Sequence, residues 1–443
     1  MKPAHALPMP ILSAWDPRAA TSGSIDPLGA LRSFTAIATA VLPGVTTITS
    51  RVRYLSWVCA GLHLLDELPQ APSGGRAGHA RRQRILAWER LVALATGFYA
   101  KAEATSADDR SWGQLRGVSY VRRAVAEGIR SPAFPMLQNQ AGVGGVGAYW
   151  VTLVAGGLVE DGTAGLTPRG VKLADTFLRH QATPDRASLI RVISGEDVSF
   201  AESALVDWGR AAHLGAASSH ERSLLAEALL EPRAQRLMAS AMRAMDATTS
   251  DGDTFRLLKE YFSRQCNPPS DRLAAVLDVA LSFENLHCEL LYRFDQVRSL
   301  PGYNRPAPLR KIRLAGGDSS PARLGDELKR GLEVHRTHLP YSVADTVHDF
   351  YLNVEPAVRA NDDAEFVRRL IGHHERVQAG KLDASRQPKL PWVELRGNDV
   401  AIAPRYLLEE RPKKPHDVEF THPYRIEQFA GMLREAGEWE KTS

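Results

Sequence analysis

Apolar residues recur at helical spacing along nearly all of this sequence, and only two short stretches break the pattern by alternating about a tight turn. A chain patterned this way folds mainly as helices. The first exception is "GLVEDGTAGLTPRGVKLADTFL", residues 157–178. Leu158–Glu160 and Gly165–Thr167 read as hairpin arms about Asp161-Gly162. Thr167 then suits the N-cap and Pro168 the first position of a helix that buries Val171, Leu173, Ala174, Phe177 and Leu178. A short helix, Tyr149 to Ala155, precedes the hairpin. The second exception, "WVELRGNDVAIA", alternates about Gly397-Asn398, a two-residue hairpin signal. The expected fold is therefore mainly α: a multi-helix protein with an embedded winged-helix-like unit and a small C-terminal β-hairpin. Leu158, Leu166, Leu173 and Phe177 should be buried, and Asp161-Gly162 should form an exposed turn.

Breaks in the periodicity suggest a linear division. Residues 1–25 are Pro/Ala/Ser-rich and loosely ordered. An N-terminal helical domain spans 26–140, the winged-helix-like unit 141–182, and a second helical domain 183–298. A Pro/Gly/Arg-rich linker covers 299–322, and a C-terminal α+β domain covers 323–443. The run "GVGGVG" near residue 145 is no phosphate loop, because no Gly-Lys-Ser/Thr follows and no strand precedes it.

Composition narrows the class. Of 443 residues, 44% are hydrophobic and 24% charged, the balance of a globular chain. No run of about 18 apolar residues offers a membrane span, and the Pro-broken N-terminus lacks a secretory signal pattern. The 3 cysteines (Cys59, Cys266 and Cys288) form no Cys-x-x-Cys pair, which points to a reducing cytoplasm rather than a disulfide framework or a zinc knuckle.

The formal net charge is only +4 but uneven. Residues 76–130 carry 11 Lys/Arg against 5 Asp/Glu, and residues 293–336 carry 10 against 5. Such local excess attracts phosphates. The cations singled out for a nucleic-acid contact are Arg51, Arg53, Arg81, Arg82, Arg84, Arg122, Arg123, Arg169 and Lys172. The helix before the wing carries no cation, and Glu160 and Asp161 make the wing acidic, so any contact with double-stranded DNA should be to backbone rather than to base edges. For Arg51 and Arg53, at the start of an apolar helix, the competing reading is an ion pair with an acid such as Asp66 or Glu67.

Two clusters carry potential chemistry. His373, His374, Gln378, Lys381, Lys389 and Trp392 fall within "HHERVQAGKLDASRQPKLPWVEL", with Glu375, Asp383 and Glu394 nearby. His374 and Gln378 lie one helical turn apart, with Lys381 about a turn further on, so they can face one groove. His373, His374 and Lys381 are the catalytic candidates if the chain is a nuclease or nucleotide hydrolase. Separately, Glu284 and His287 have the Glu-x-x-His spacing of helical metal sites. A di-iron site needs a second copy, and the nearest match is Asp345-Thr-Val-His348. His287 also lies on an apolar stripe, as a satisfied core histidine would, so no metal and no cofactor is expected. His335 and His338 complete a late concentration of histidines. There is no Gly-x-Ser-x-Gly and no cysteine with a matching base.

Three blocks carry a resemblance. The N-terminal block has Leu42-Pro43-Gly44, then Thr46-Thr47, then Arg51-Val52-Arg53-Tyr54. The others are "YW…GLVE…LTPRG" and the late "HHERVQ…K…PWVEL" with "HPYR" at 422–425. Together they resemble a large group of bacterial proteins without an assigned mechanism, similar to accessory components of mobile-element or anti-phage defence loci near helicases or nucleases. The resemblance implies a non-enzymatic DNA-associated accessory protein with a helicase or nuclease partner and no membrane association. It assigns no catalytic residue. A purely structural adaptor and the enzyme named above are the alternatives.

Overall fold

A computed structural model of the chain describes residues 26–439, apart from 69–74, 104–111, 113–114, 162–164, 180–184, 246–250, 266–271, 303–304, 316–319, 384–385, 414–419 and 423. In chain order the helices are α1 (Leu31–Val41), α2 (Tyr54–Asp66), α3 (Gly75–Glu103), α4 (Val118–Ala126), α5 (Gln140–Val143), α6 (Gly145–Ala155) and α7 (Pro168–Arg179). There follow α8 (Arg186–Ser194), α9 (Glu202–Ala212), α10 (Ser219–Leu229), α11 (Arg233–Met245), α12 (Asp251–Gln265) and α13 (Arg272–Arg298). Then come β1 (Ala307–Pro308), α14 (Pro321–Val334), α15 (Tyr341–Val358), α16 (Asp363–Ala379), β2 (Val393–Arg396), β3 (Asp399–Ile402) and α17 (Ile426–Glu435). The mainly helical class read from periodicity holds, with a small antiparallel sheet near the C-terminus.

Contacts divide the chain into two units, each discontinuous. One joins the described residues of Met1–Ile37 to Pro268–His422; the other joins Ala38–Asn267 to Pro423–Ser443. The linear division is corrected at both ends. Residues 26–37 do not belong with the helices that follow them, and 423–443 do not belong with the sheet that precedes them. Segment 299–322 is not a linker either. Ala307 and Pro308 pair with Val400 and Asp399 as the edge strand of a sheet ordered β1-β3-β2. Pro308 lacks an N–H to give to a ladder, and a short edge strand is where a sheet tolerates that loss.

In the unit formed by 38–267 and 423–439, α2 is apolar all round, as a helix packed on several sides must be. It packs on α3, α6, α7 and α8. Between α6 and α7 the two expected arms meet at one isolated bridge, and residues 162–164, where the turn is expected, lie outside the described residues. Val159 and Leu166 form an antiparallel bridge, and Glu160 N–H donates to the Gly165 carbonyl at 2.9 Å. The Thr167 hydroxyl accepts from Gly170 N–H at 3.2 Å, capping α7. Leu158, Leu173 and Phe177 are buried and Glu160 and Asp161 exposed, whereas Leu166 is only half-buried; Gly162 lies outside the described residues. The helix before the hairpin starts at Gly145, four residues earlier than its periodicity suggests.

In the other unit α13 is the central helix, against α14 and α16, with α15 packed on both of those. β2 and the 3-10 turn Leu309–Lys311 lie against α16. β2 and β3 form the expected hairpin, with Arg396 opposite Asp399 and Gly397 at φ +64° in the turn. Among the described residues no helix is long and apolar enough to cross a membrane.

Leu173 is fully buried where α7 meets α2. Leu173→Ala should lower unfolding free energy by about 2–5 kcal/mol in urea titrations. A change below about 0.5 kcal/mol, the size of a surface substitution, would contradict this packing.

Candidate functional site

The late histidine cluster does face one groove, and the chain itself fills that groove. His373 and His374, on the inner face of α16, meet the backbone of the segment entering α1. His373 Nε2 lies 2.7 Å from the Leu28 carbonyl and His374 Nδ1 2.9 Å from the Pro27 carbonyl. Lys381 Nζ donates to the Asp26 carbonyl and lies 3.7 Å from the Asp26 carboxylate. The second nitrogen of His374 accepts from Trp392 N–H at 2.9 Å. Since Nε2 accepts, Nδ1 must carry the proton, and the ring is neutral. Burial pushes His374 down to about 4 and lowers His373 and Lys381 as well. His373, His374 and Lys381 are therefore corrected from catalytic candidates to a clamp on residues 26–28. Both nitrogens of His374 are committed, so it has no lone pair for a substrate.

The basic residues separate into two kinds. Arg53 is buried, with Nε and Nη2 each 2.9 Å from a Glu221 carboxylate oxygen and Nη1 2.5 Å from the His213 carbonyl. Its guanidinium also lies 5.4 Å from the Phe177 ring centroid. Arg51 pairs with Glu435. The nucleic-acid role expected of Arg51 and Arg53 is corrected: both are structural ion pairs, with Glu221 and Glu435 as the acids rather than Asp66 or Glu67. Glu67 takes Arg186 instead. Burial and these two arginines push His213 down to about 4. Arg84 is half-buried, and the side chains of Arg81 and Arg82 lie outside the described residues. Of the cations singled out from the sequence, those exposed are Arg122, stacked 5.1 Å over Trp112, Arg123, paired with Glu127, Arg169, paired with Glu231, and Lys172.

A third cluster was only half legible. Glu284 and His287 sit one turn apart on α13, both buried, and His422 joins them from the chain beyond the sheet. One carboxylate oxygen and one nitrogen from each imidazole all lie within 4.8 Å of one another. His422 Nδ1 is 2.5 Å from Glu284 Oε1, while Thr421 N–H donates to Glu284 Oε2 at 3.2 Å. The Cys288 sulfur lies 3.8 Å from Glu284 Oε2 and 3.3 Å from Thr421 Oγ1. Aromatic rings wall the group: Phe34 stacks on His422 at 4.5 Å, and Phe283 and Phe350 flank His287 at 5.9 Å and 6.2 Å. Burial pushes His287 down to about 4, which keeps its imidazole neutral.

The expectation of a satisfied core histidine fails at one atom: His287 Nδ1 is buried and has no hydrogen-bond partner. The Asp345–His348 stretch does not supply a second ligand pair, since Asp345 engages Arg32 at the surface. His335 pairs with Asp278 at 2.9 Å instead. His422 is 135 positions beyond His287, and no spacing rule connects them.

Neither a protein-family model, nor a curated protein, nor a solved structure gives a significant match to this chain.

The clamp makes a pH prediction. His374 is held near 4, against about 6.5 in an unfolded chain, so the unfolded state binds the proton first as pH falls. The stability that neutral His374 contributes is complete above about pH 6.5 and is lost as pH drops towards 4, about 3 kcal/mol in all. Unfolding free energies measured from pH 7 to 4 should fall accordingly, and His374→Gln should flatten the profile. An equal slope in both proteins would contradict the assignment.

Proposed function

We infer that the protein is a non-enzymatic, DNA-associated accessory component that contacts duplex backbone and a partner protein. The observation that carries this reading is the segment from α6 to α7. A helix, an antiparallel arm pair pinned at Val159 and Leu166, and a Thr-capped helix follow one another as in a winged-helix module. The outer surface of that module favours backbone contact over base reading. α6 presents Val151, 49% exposed, and bears no cation. The hairpin presents Glu160 and Asp161, and the cations Arg169 and Lys172 begin only on α7. Base edges are read by bidentate donors such as Arg, Asn and Gln, which α6 lacks. An apolar, uncharged helix face suits a protein partner, and a helicase or nuclease of a bacterial anti-phage or mobile-element defence system fits the resemblance of the sequence blocks. The nuclease alternative has lost its residues, because His373, His374 and Lys381 are engaged by residues 26–28.

The test is a salt titration of duplex binding on two unrelated sequences. Each phosphate contact contributes roughly −0.9 to the slope of log affinity against log salt. Replacing Arg122, Arg123 and Lys172 together with Ala should weaken binding equally on both duplexes and flatten the slope by about 2–3 units. Substituting Glu160 or Asp161 should leave the slope nearly unchanged. A wild-type protein that binds neither duplex at about 50 mM salt, where backbone contacts are strong, would leave the protein adaptor as the reading.

A further inference from the structure

We propose that Glu284, His287 and His422 form a binding site for a single divalent ion of the zinc class, independent of any DNA contact. A carboxylate and two imidazoles are the donor set of three-ligand sites that leave a fourth position open. Two nitrogen donors select a first-row transition ion over magnesium or calcium, which take oxygen.

The surroundings meet what such a site requires beyond its ligands. Glu284 Oε2 is held by Thr421 N–H, which fixes the plane of the carboxylate and turns Oε1 towards His422. Glu284 and His287 are set by one turn of α13, so two ligands stand on a rigid element. His422 lies outside any helix or strand, with its side chain 14% exposed, and provides both the give and the entry path. The rings of Phe34, Phe283 and Phe350 lie against the two imidazoles, giving the group apolar walls.

A metal-free hydrogen-bonded group accounts for less. It satisfies Glu284 and His422 through one proton held between Oε1 and Nδ1, but leaves His287 Nδ1 buried without a partner. Buried polar atoms are seldom left so. Ligand atoms about a tetrahedral ion stand roughly 3.3 Å apart, given bonds of about 2.0–2.1 Å. The 2.5 Å contact must therefore open by about 1 Å, well within the reach of the irregular chain at 420–422. On entry the ion takes the Glu284 oxygen and a lone pair from each imidazole, displacing the proton held between Glu284 and His422, and each imidazole stays neutral with its one proton on the non-ligating nitrogen.

The experiment uses the full chain, stripped with a chelator and dialysed, then titrated with Co²⁺ and with Zn²⁺. Binding should saturate at about one equivalent, with the visible absorption of low-coordinate cobalt, discharged by zinc. Zinc should also raise the thermal midpoint of the wild type. His422→Gln, on the irregular segment, should keep the far-ultraviolet circular dichroism of the wild type and lose at least about 100-fold in affinity, as much as or more than an outer-sphere change costs. A folded wild type with no saturable cobalt or zinc binding overturns the proposal. So does a His422→Gln protein with wild-type affinity, since the ion would then sit elsewhere. Magnesium binding in place of cobalt and zinc would equally contradict the donor set.

Discussion

A polar or charged group taken out of water must be met inside, and this constraint organises both units of the protein. Arg53 is fully enclosed yet stable because Glu221 takes it in a fork and the His213 carbonyl takes the remaining nitrogen. Glu89, buried on α3, receives the Gly145 N–H at the start of α6 and the Gln140 amide at 3.1 Å. A negative group at a helix N-terminus is favourable, and burial still raises the Glu89 carboxyl above its usual range. His374 is neutral because both of its nitrogens are committed to backbone groups. At the clamp both nitrogens of His374 are met by the chain, whereas in the Glu284 cluster His287 Nδ1 is left over beside a carboxylate and a second imidazole.

This view explains sequence blocks whose composition alone suggests ligand binding. The Gly-rich run before α6 serves close packing, since a Cβ at Gly145 would stand 2.6 Å from the Tyr54 ring. The Leu42-Pro43-Gly44 turn needs its glycine twice over: φ is +79°, and a Cβ would meet Ala155 at 2.5 Å. Arg51, Arg53 and Tyr54 follow as anchors, the arginines to acids and the Tyr54 hydroxyl to the Arg116 N–H at 2.7 Å. The block is a packing motif in which the cations are spent.

Local structure was legible in the sequence, and long-range pairing was not. Thr167-Pro168 announced α7, Gly397-Asn398 the β2–β3 hairpin, and the apolar stripe on α2 its burial, because each signal sits within a few residues of its effect. The partners of Arg53 and Glu284 lie 168 and 138 positions away, and nothing in a single sequence names them. The discontinuous units escaped for the same reason. Asp26–Leu28 belongs with α16 because His373, His374, Gln378 and, just past its end, Lys381 hold its backbone, and α17 joins the N-terminal helices through Arg51–Glu435 and the Arg425–Val45 contact. Pro308 reads as a linker residue until β3 is seen beside it.

Two functional readings rest on separate parts of the chain. The proposed DNA and partner binding rests on the segment from α6 to α7, and the proposed metal site on the cluster on α13. The central structural claim is that the cluster on α13 takes an ion while the clamp on residues 26–28 does not. Anomalous X-ray diffraction from crystals grown with Zn²⁺, collected on either side of the zinc edge, tests it most directly. The account predicts one strong anomalous peak bounded by Glu284, His287 and His422, and none at His373, His374 and Lys381. A peak at the clamp on residues 26–28, or none at Glu284 with His422 still hydrogen-bonded to it, would contradict the account.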